Sequence, residues 1–107
     1  MGQTPSARPE LKLEIVTTSE ERLVRCIGKM TYETSEALRT TVRGLIPETK
    51  RLVLDLADVT YFDSFGLGEL VSVYLSARRQ QCQLKLMNMN QQGQQLLDIT
   101  NLTSLLE

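Results

Sequence analysis

An acid, a hydroxyl, a phenylalanine and two glycines stand together at Asp63-Ser64-Phe65-Gly66-Leu67-Gly68. An apolar run, 52–56, leads into this stretch, and an amphipathic one, 67–79, leads out of it. At a strand-to-helix junction these residue types serve three kinds of chemistry. First-turn amides of a helix lack intrahelical partners and gather partial positive charge. Such an end can hold an anion, accept a cap from Asp63 or Ser64, or present a small side chain to a partner. Gly66 and Gly68 would let the helix start pack close to a sheet. Phe65, in the first turn and off the apolar stripe, is left in water unless a neighbour or a partner covers it. Nucleotide binding has weaker support. The dinucleotide pattern needs a third glycine and the phosphate loop a Gly-Lys-Ser/Thr ending, and both are missing.

The rest of the composition removes other chemistries. The 107 residues include no histidine, which excludes Ser-His-Asp and Cys-His catalysis, His-ligated metal and a histidine phosphorelay. No nucleophile–base pair or metal cluster can be assembled, so no enzyme activity, cofactor or metal is expected. Cys26 and Cys82 each sit in an apolar run and fit small buried hydrophobes in a reducing cytosol. Net charge is −1 with no block of one sign, which argues against direct nucleic-acid binding. Five aromatics, Tyr32, Tyr61, Phe62, Phe65 and Tyr74, are too scattered for a base-stacking platform. No charged leader opens the chain and no apolar run approaches the ~20 residues of a bilayer span. No membrane insertion and a cytoplasmic location are therefore expected.

The junction must be positioned by a single small domain, since 41% hydrophobic and 23% charged residues suit one core and a polar surface. Residues 1–10, with Gly2, Pro5 and Pro9, are expected to be a disordered lead-in. Residues 11–17 alternate, with Leu11, Leu13 and Ile15 opposite Lys12 and Glu14, and predict a half-solvated strand. A short polar turn and a second strand, 23–27, ending at Gly28, make a hairpin. Thr34 suits a helix N-cap, Leu38, Val42 and Leu45 recur at helical spacing, and Pro47 stops the run. The apolar 52–57 predicts a central strand with Asp55 near its C-terminal end. Leu67, Leu70, Val71, Tyr74 and Leu75 form the apolar stripe of the next helix. A strand at 82–87 and a helix capped by Asn90 follow, broken at Asn101 before an apolar turn at Leu102, Leu105 and Leu106. The glutamines between Gln80 and Gln95 read as polar surface. The order β-β-α-β-α-β-α predicts an α/β domain with a mixed sheet and helices on one face. Its ligand edge, at the strands' C-terminal ends, holds both 29–33 and 63–68.

The run Leu52-Val-Leu-Asp-Leu-Ala-Asp-Val-Thr-Tyr-Phe-Asp-Ser-Phe-Gly-Leu-Gly68 resembles the signature of STAS domains, the bacterial anti-sigma-factor antagonists. In that family an apolar strand ends in Asp, and a short loop leads to Asp-Ser-Ser/Thr-Gly-Leu-Gly. The resemblance extends to Gly28 and to Leu96-Leu-Asp-Ile-Thr-Asn-Leu102, and so covers essentially 11–107. It implies a STAS-type mixed sheet with helices stacked on one side, whose last strand would follow Leu106.

The resemblance also implies a role: binding an anti-sigma factor, often a serine kinase, and so freeing a sigma factor for transcription. In the family, phosphorylation of the hydroxyl residue before the first motif glycine abolishes that binding, since a phosphate adds about −1.5 to −2 charges at the docking surface. Here Phe65 holds that position and has no hydroxyl. Ser64 matches the preceding serine, a doubtful acceptor. Thr31 stands where the family commonly has an aspartate after Gly28. The expected partner-binding residues are thus Thr31, Asp63, Ser64, Phe65, Gly66, Leu67 and Gly68, with Phe65 a fixed apolar contact. The rival readings are a STAS scaffold, as an accessory subunit of a transporter or of a stress-signalling assembly, and a small-ligand binder at the helix start.

Overall fold

The computed structural model describes residues 11–18 and 20–101. The expected lead-in at 1–10 and the apolar turn at Leu102, Leu105 and Leu106 lie outside them. Strands β1 (Leu11–Thr17) and β2 (Arg22–Met30) come first, and helices α1 (Ser35–Leu45), α2 (Ser64–Arg79) and α3 (Gln91–Ile99) then alternate with β3 (Arg51–Phe62) and β4 (Gln83–Met87). The strands lie side by side in the order β1-β2-β3-β4. β1 and β2 form the antiparallel hairpin, and β2–β3 and β3–β4 are parallel. This is the mixed sheet expected. Val24, Cys26, Leu52, Leu54, Leu56, Leu84 and Leu86 line one face and meet Leu38, Val42, Leu67, Leu70, Val73 and Leu97 from the helices in a single core. Each fully buried aliphatic side chain there contributes roughly 1.5–3 kcal/mol of transfer free energy.

β3 is twice as long as its apolar run. It continues through Ala57-Asp58-Val59-Thr60-Tyr61 to Phe62, so no loop separates strand from motif, and Asp55 lies mid-strand rather than near the end. The pairing with β2 shifts register between Arg25 and Ile27 and again between Gly28 and Lys29, each time with one more residue on β3. These bulges break the alternation that marks a strand and turn it locally. Gly28 adopts φ 127 at the second, a backbone region that side chains disfavour. β2 accordingly runs on to Met30 rather than ending at Gly28.

The α2 stripe also differs. The helix begins at Ser64, three residues before the apolar run. Its buried face is Leu67, Leu70, Val73, Ser76 and Ala77. Val71 and Tyr74 are half-buried and Leu75 is 45% exposed. Small residues pack the side nearest the sheet, while Leu75 lies beyond it.

Two glutamines in the stretch read as polar surface are structural. β4 pairs with β3 only from Arg51 to Asp55. Beyond that, Gln92 Nε2 donates to Phe62 O (2.7 Å), Phe62 N donates to Gln92 Oε1 (2.9 Å), and Asn90 Nδ2 donates to Val59 O (3.2 Å). The amide of Gln92 replaces a missing strand neighbour. Gln94 Nε2 donates to Met89 O at 2.8 Å. α3 sits close because Gly93 carries no Cβ, which would lie 2.8 Å from the Phe62 ring. As expected, Asn90 caps α3 and Asn101, at φ 61, follows its end.

Cys26 and Cys82 are buried free thiols. Burial, with a smaller contribution from the Asp55 charge, pushes the Cys26 thiol up to about 12, and burial also raises Cys82. Thiols held neutral in this way are poor nucleophiles.

Candidate functional site

β2 and β3 end side by side at Met30 and Phe62, which brings Thr31-Tyr32 and the start of α2 together. Asp63 is what joins them. Of the two capping candidates it is the one used: Gly66 N donates to its Oδ1 at 2.8 Å. Its other oxygen, Oδ2, accepts from Tyr32 N at 3.1 Å, across 31 residues of sequence. Asp63 N donates to Met30 O at 3.0 Å. One carboxylate therefore satisfies an orphan amide of α2 and fixes the segment after β2 to it. Asp63→Ala is expected to cost about 1–2 kcal/mol in denaturant unfolding, with Asp63→Asn recovering part through its remaining oxygen. An unchanged unfolding midpoint in Asp63→Ala would contradict the bridge.

Gly66 makes the approach possible. A Cβ there would overlap the carbonyl carbon and oxygen of Met30 and lie 2.9 Å from Thr31 N. Gly68 does not share this role, since nothing lies within 4 Å of a Cβ at that position. Its expected packing function is absent, and it is an exposed helical glycine. Leu67, expected at the docking surface, is 4% exposed and belongs to the core. Its place four residues after the Asp63 cap turns it toward the sheet.

Thr31 is half-buried. Its amide donates to Thr34 Oγ1 at 2.9 Å, its carbonyl accepts from Thr34 N at 3.1 Å, and its own Oγ1 is buried without a partner. Thr34 thus turns its hydroxyl back to tie the loop rather than capping α1, where no side-chain cap bond forms. Thr31 presents little to solvent.

What faces outward is aromatic. Phe65 is 62% exposed and Tyr32 68% exposed. Their rings meet edge to face, with centroids 5.3 Å apart and planes at 69°, the geometry aromatic quadrupoles prefer. Tyr61, 46% exposed, lines an open depression beside them with Lys29, Thr31, Tyr32, Glu33 and Asp63. Ser64 is exposed on the same turn. Sequence reasoning placed Phe65 and the 29–33 segment on this edge but missed Tyr32 and Tyr61 individually. Tyr61 was hidden by the bulge at Thr60; Tyr32 shows itself only once Asp63 is known to hold its backbone. Behind this edge, Arg39 Nη1 pairs with Glu69 Oε1 at 3.0 Å and ties α1 to α2. Among the described residues, no group of three or more His, Cys, Asp or Glu is placed to hold a metal ion. No helix among them is long and apolar enough to cross a membrane.

The edge, sheet order and capped glycine turn can be set beside known proteins. The sequence matches the family model described as STAS domain over residues 12–107. The chain belongs to the STAS domain family. A curated relative of this STAS domain, the anti-sigma-B factor antagonist of Bacillus subtilis (strain 168), is 27% identical over 97 residues, 91% of this chain and 89% of that one. The fold of this chain is shared with the crystal structure of an anti-sigma factor antagonist from Mycobacterium paratuberculosis: TM-score 0.79, 17% identity, 91% of this chain and 83% of that one. The unphosphorylated form of the anti-sigma factor antagonist SpoIIAA superposes with TM-score 0.74 at 16% identity, covering 92% of this chain and 86% of that one. The mixed sheet and helical layer of this STAS domain are thus those of the solved antagonists.

Proposed function

We propose that this STAS domain is an anti-sigma-factor antagonist that binds a kinase-like anti-sigma factor and so frees a sigma factor for transcription. The docking surface is the edge built from Thr31-Tyr32, Tyr61, Asp63–Gly66 and the exposed Gly68, with Leu67 behind it in the core. Kinship with a curated antagonist along nearly the whole of both chains supports the role. The observation that carries the site is the Tyr32–Phe65 pair, two aromatic rings more than 60% exposed on backbone fixed by Asp63. Large, rigid aromatics at low conformational-entropy cost are the residues that dominate binding energy at interfaces. The residues of the edge divide the work. Asp63 and Gly66 hold its shape, Thr31 ties the loop, and Ser64, Phe65, Tyr32 and Tyr61 meet the partner.

Docking here does not depend on a phosphoserine switch. One solved relative is a phosphorylated form of a Bacillus protein, but Phe65 offers no oxygen to accept a phosphoryl group. Ser64 remains the hydroxyl on that turn. Incubating the protein with each kinase-type anti-sigma factor of its own organism and ATP, then measuring intact mass, is expected to show complex formation and no added phosphate. Stoichiometric phosphorylation at Ser64 would overturn the insensitivity, and failure to bind any of them would overturn the role.

A further inference from the structure

The two sides of the sheet end differently. Past β4, side chains of Asn90 and Gln92 take over the open backbone of β3. Among the described residues, β1 has no such cover, and its backbone bonds run to β2. β1 pairs over seven residues without a bulge, and Ile15 and Val16 are exposed. A long, regular open edge is a template for another strand.

Charge chooses which strand. On the sheet face away from the helices, register sets Glu14 beside Arg25 and Arg25 beside Asp55. Arg25 lies 3.9 Å from Glu14 and 3.4 Å from Asp58. The row alternates in sign and ends at Glu14, which besides Arg25 meets Lys12 of its own strand, Nζ to Oε2 3.6 Å. An exposed pair of this kind is worth little, so a cation on the next strand outward continues the alternation. β1 carries one itself, two residues earlier, at Lys12. In an antiparallel pair of β1 strands related by a two-fold axis at Leu13, Lys12 of each copy stands opposite Glu14 of the other. Leu13 then faces Leu13, and Leu11 faces Ile15 on the helix side. Moving the axis one residue either way sets Glu14 against Glu14 or Lys12 against Lys12, and like charges directly opposite destabilise a strand pair. An axis between residues fails because alternate backbone groups point away from the edge.

We propose that the chain self-associates through β1 in the Leu13-centred register, joining two four-stranded sheets into one. The contact is isologous and closes on itself. It involves none of the residues assigned to anti-sigma docking, so it stands or falls separately.

Charge reversal tests the register. In sedimentation equilibrium on the full chain, Lys12→Glu alone and Glu14→Lys alone are each expected to weaken self-association by roughly tenfold or more, since each sets like charges opposite one another. Mixed one to one, the two variants regain complementary pairs at both positions, and a heterodimer of wild-type strength is expected. Circular dichroism confirms folding, as both side chains are exposed. A wild-type protein still monomeric at about 1 mM, where a weak contact is populated, would overturn the proposal. So would a dimer indifferent to both reversals, which would place the contact elsewhere, for example on the aromatic edge.

Discussion

Replacing Gly66 with alanine is expected to destabilise the protein by about 2–3 kcal/mol, while the same replacement at Gly68 is expected to stabilise it by about 0.5–1 kcal/mol. The two glycines lie two residues apart in the first turns of α2 and differ in what stands opposite. At Gly66 the new methyl overlaps the Met30 carbonyl, backbone that no rotamer change can clear, with Thr31 N at 2.9 Å. α2 must then retreat from β2, which also stretches the Asp63 bonds to Tyr32 N and Gly66 N. At Gly68 the methyl enters open space, and alanine's better helix propensity is all that changes. Urea unfolding of the two variants measures the contrast. A Gly66→Ala protein as stable as wild type would mean that α2 does not approach β2 this closely. The effect should spread to function, because the same displacement separates Phe65 from Tyr32.

Phe65→Ala is expected to act in the opposite sense, on binding and not on stability. With 62% of Phe65 exposed, its removal opens no cavity, so unfolding should change by no more than about 0.5 kcal/mol. If the ring fills a pocket on the anti-sigma factor, its loss weakens binding by about 1–3 kcal/mol, roughly five- to 150-fold in Kd. Isothermal titration with the partner measures the loss, and thermal melting of the same sample measures stability. Unchanged affinity together with a sharp drop in melting temperature would contradict the docking role and make Phe65 a support for Tyr32. Two substitutions in one turn thus separate shape from contact: Gly66 builds the edge and Phe65 uses it.

Most of the architecture was legible from periodicity. Alternation at 11–17, the apolar 52–56 and the helical spacing of Leu38, Val42 and Leu45 report burial directly, because period follows from backbone geometry. The misreadings share one cause: burial decided by tertiary neighbours rather than by local pattern. Two bulges broke the alternation of β3 after Leu56, so a strand looked like a loop. Val73, not Leu75, faces the core of α2, since both fit a helical stripe and only the sheet's position selects between them. Gln92 looked like any polar surface residue until β4 proved too short to pair with Phe62. At the site, Asp63 was recognisable as one of two cap candidates beside Ser64, and only the structure selects it. Its second bond to Tyr32 N spans 31 positions and leaves no local trace. The exposure of Phe65 was foreseen because it sits off the stripe. Its pairing with Tyr32 was not, since that depends on the same long-range bridge.

The central claim is that an anti-sigma factor docks on the edge where Tyr32 and Phe65 meet. A residue-resolved heteronuclear NMR titration with the kinase-type anti-sigma factor tests it most directly. The amides of Ser64 and Phe65 are well placed to report, since a helix leaves its first-turn N–H groups without intrahelical partners. The expected result is a set of large shift changes confined to Tyr32, Glu33, Tyr61 and the first turn of α2, with β1 and the helix-free sheet face unmoved. Changes concentrated on β1 or on that sheet face, with Tyr32 and Phe65 silent, would contradict it.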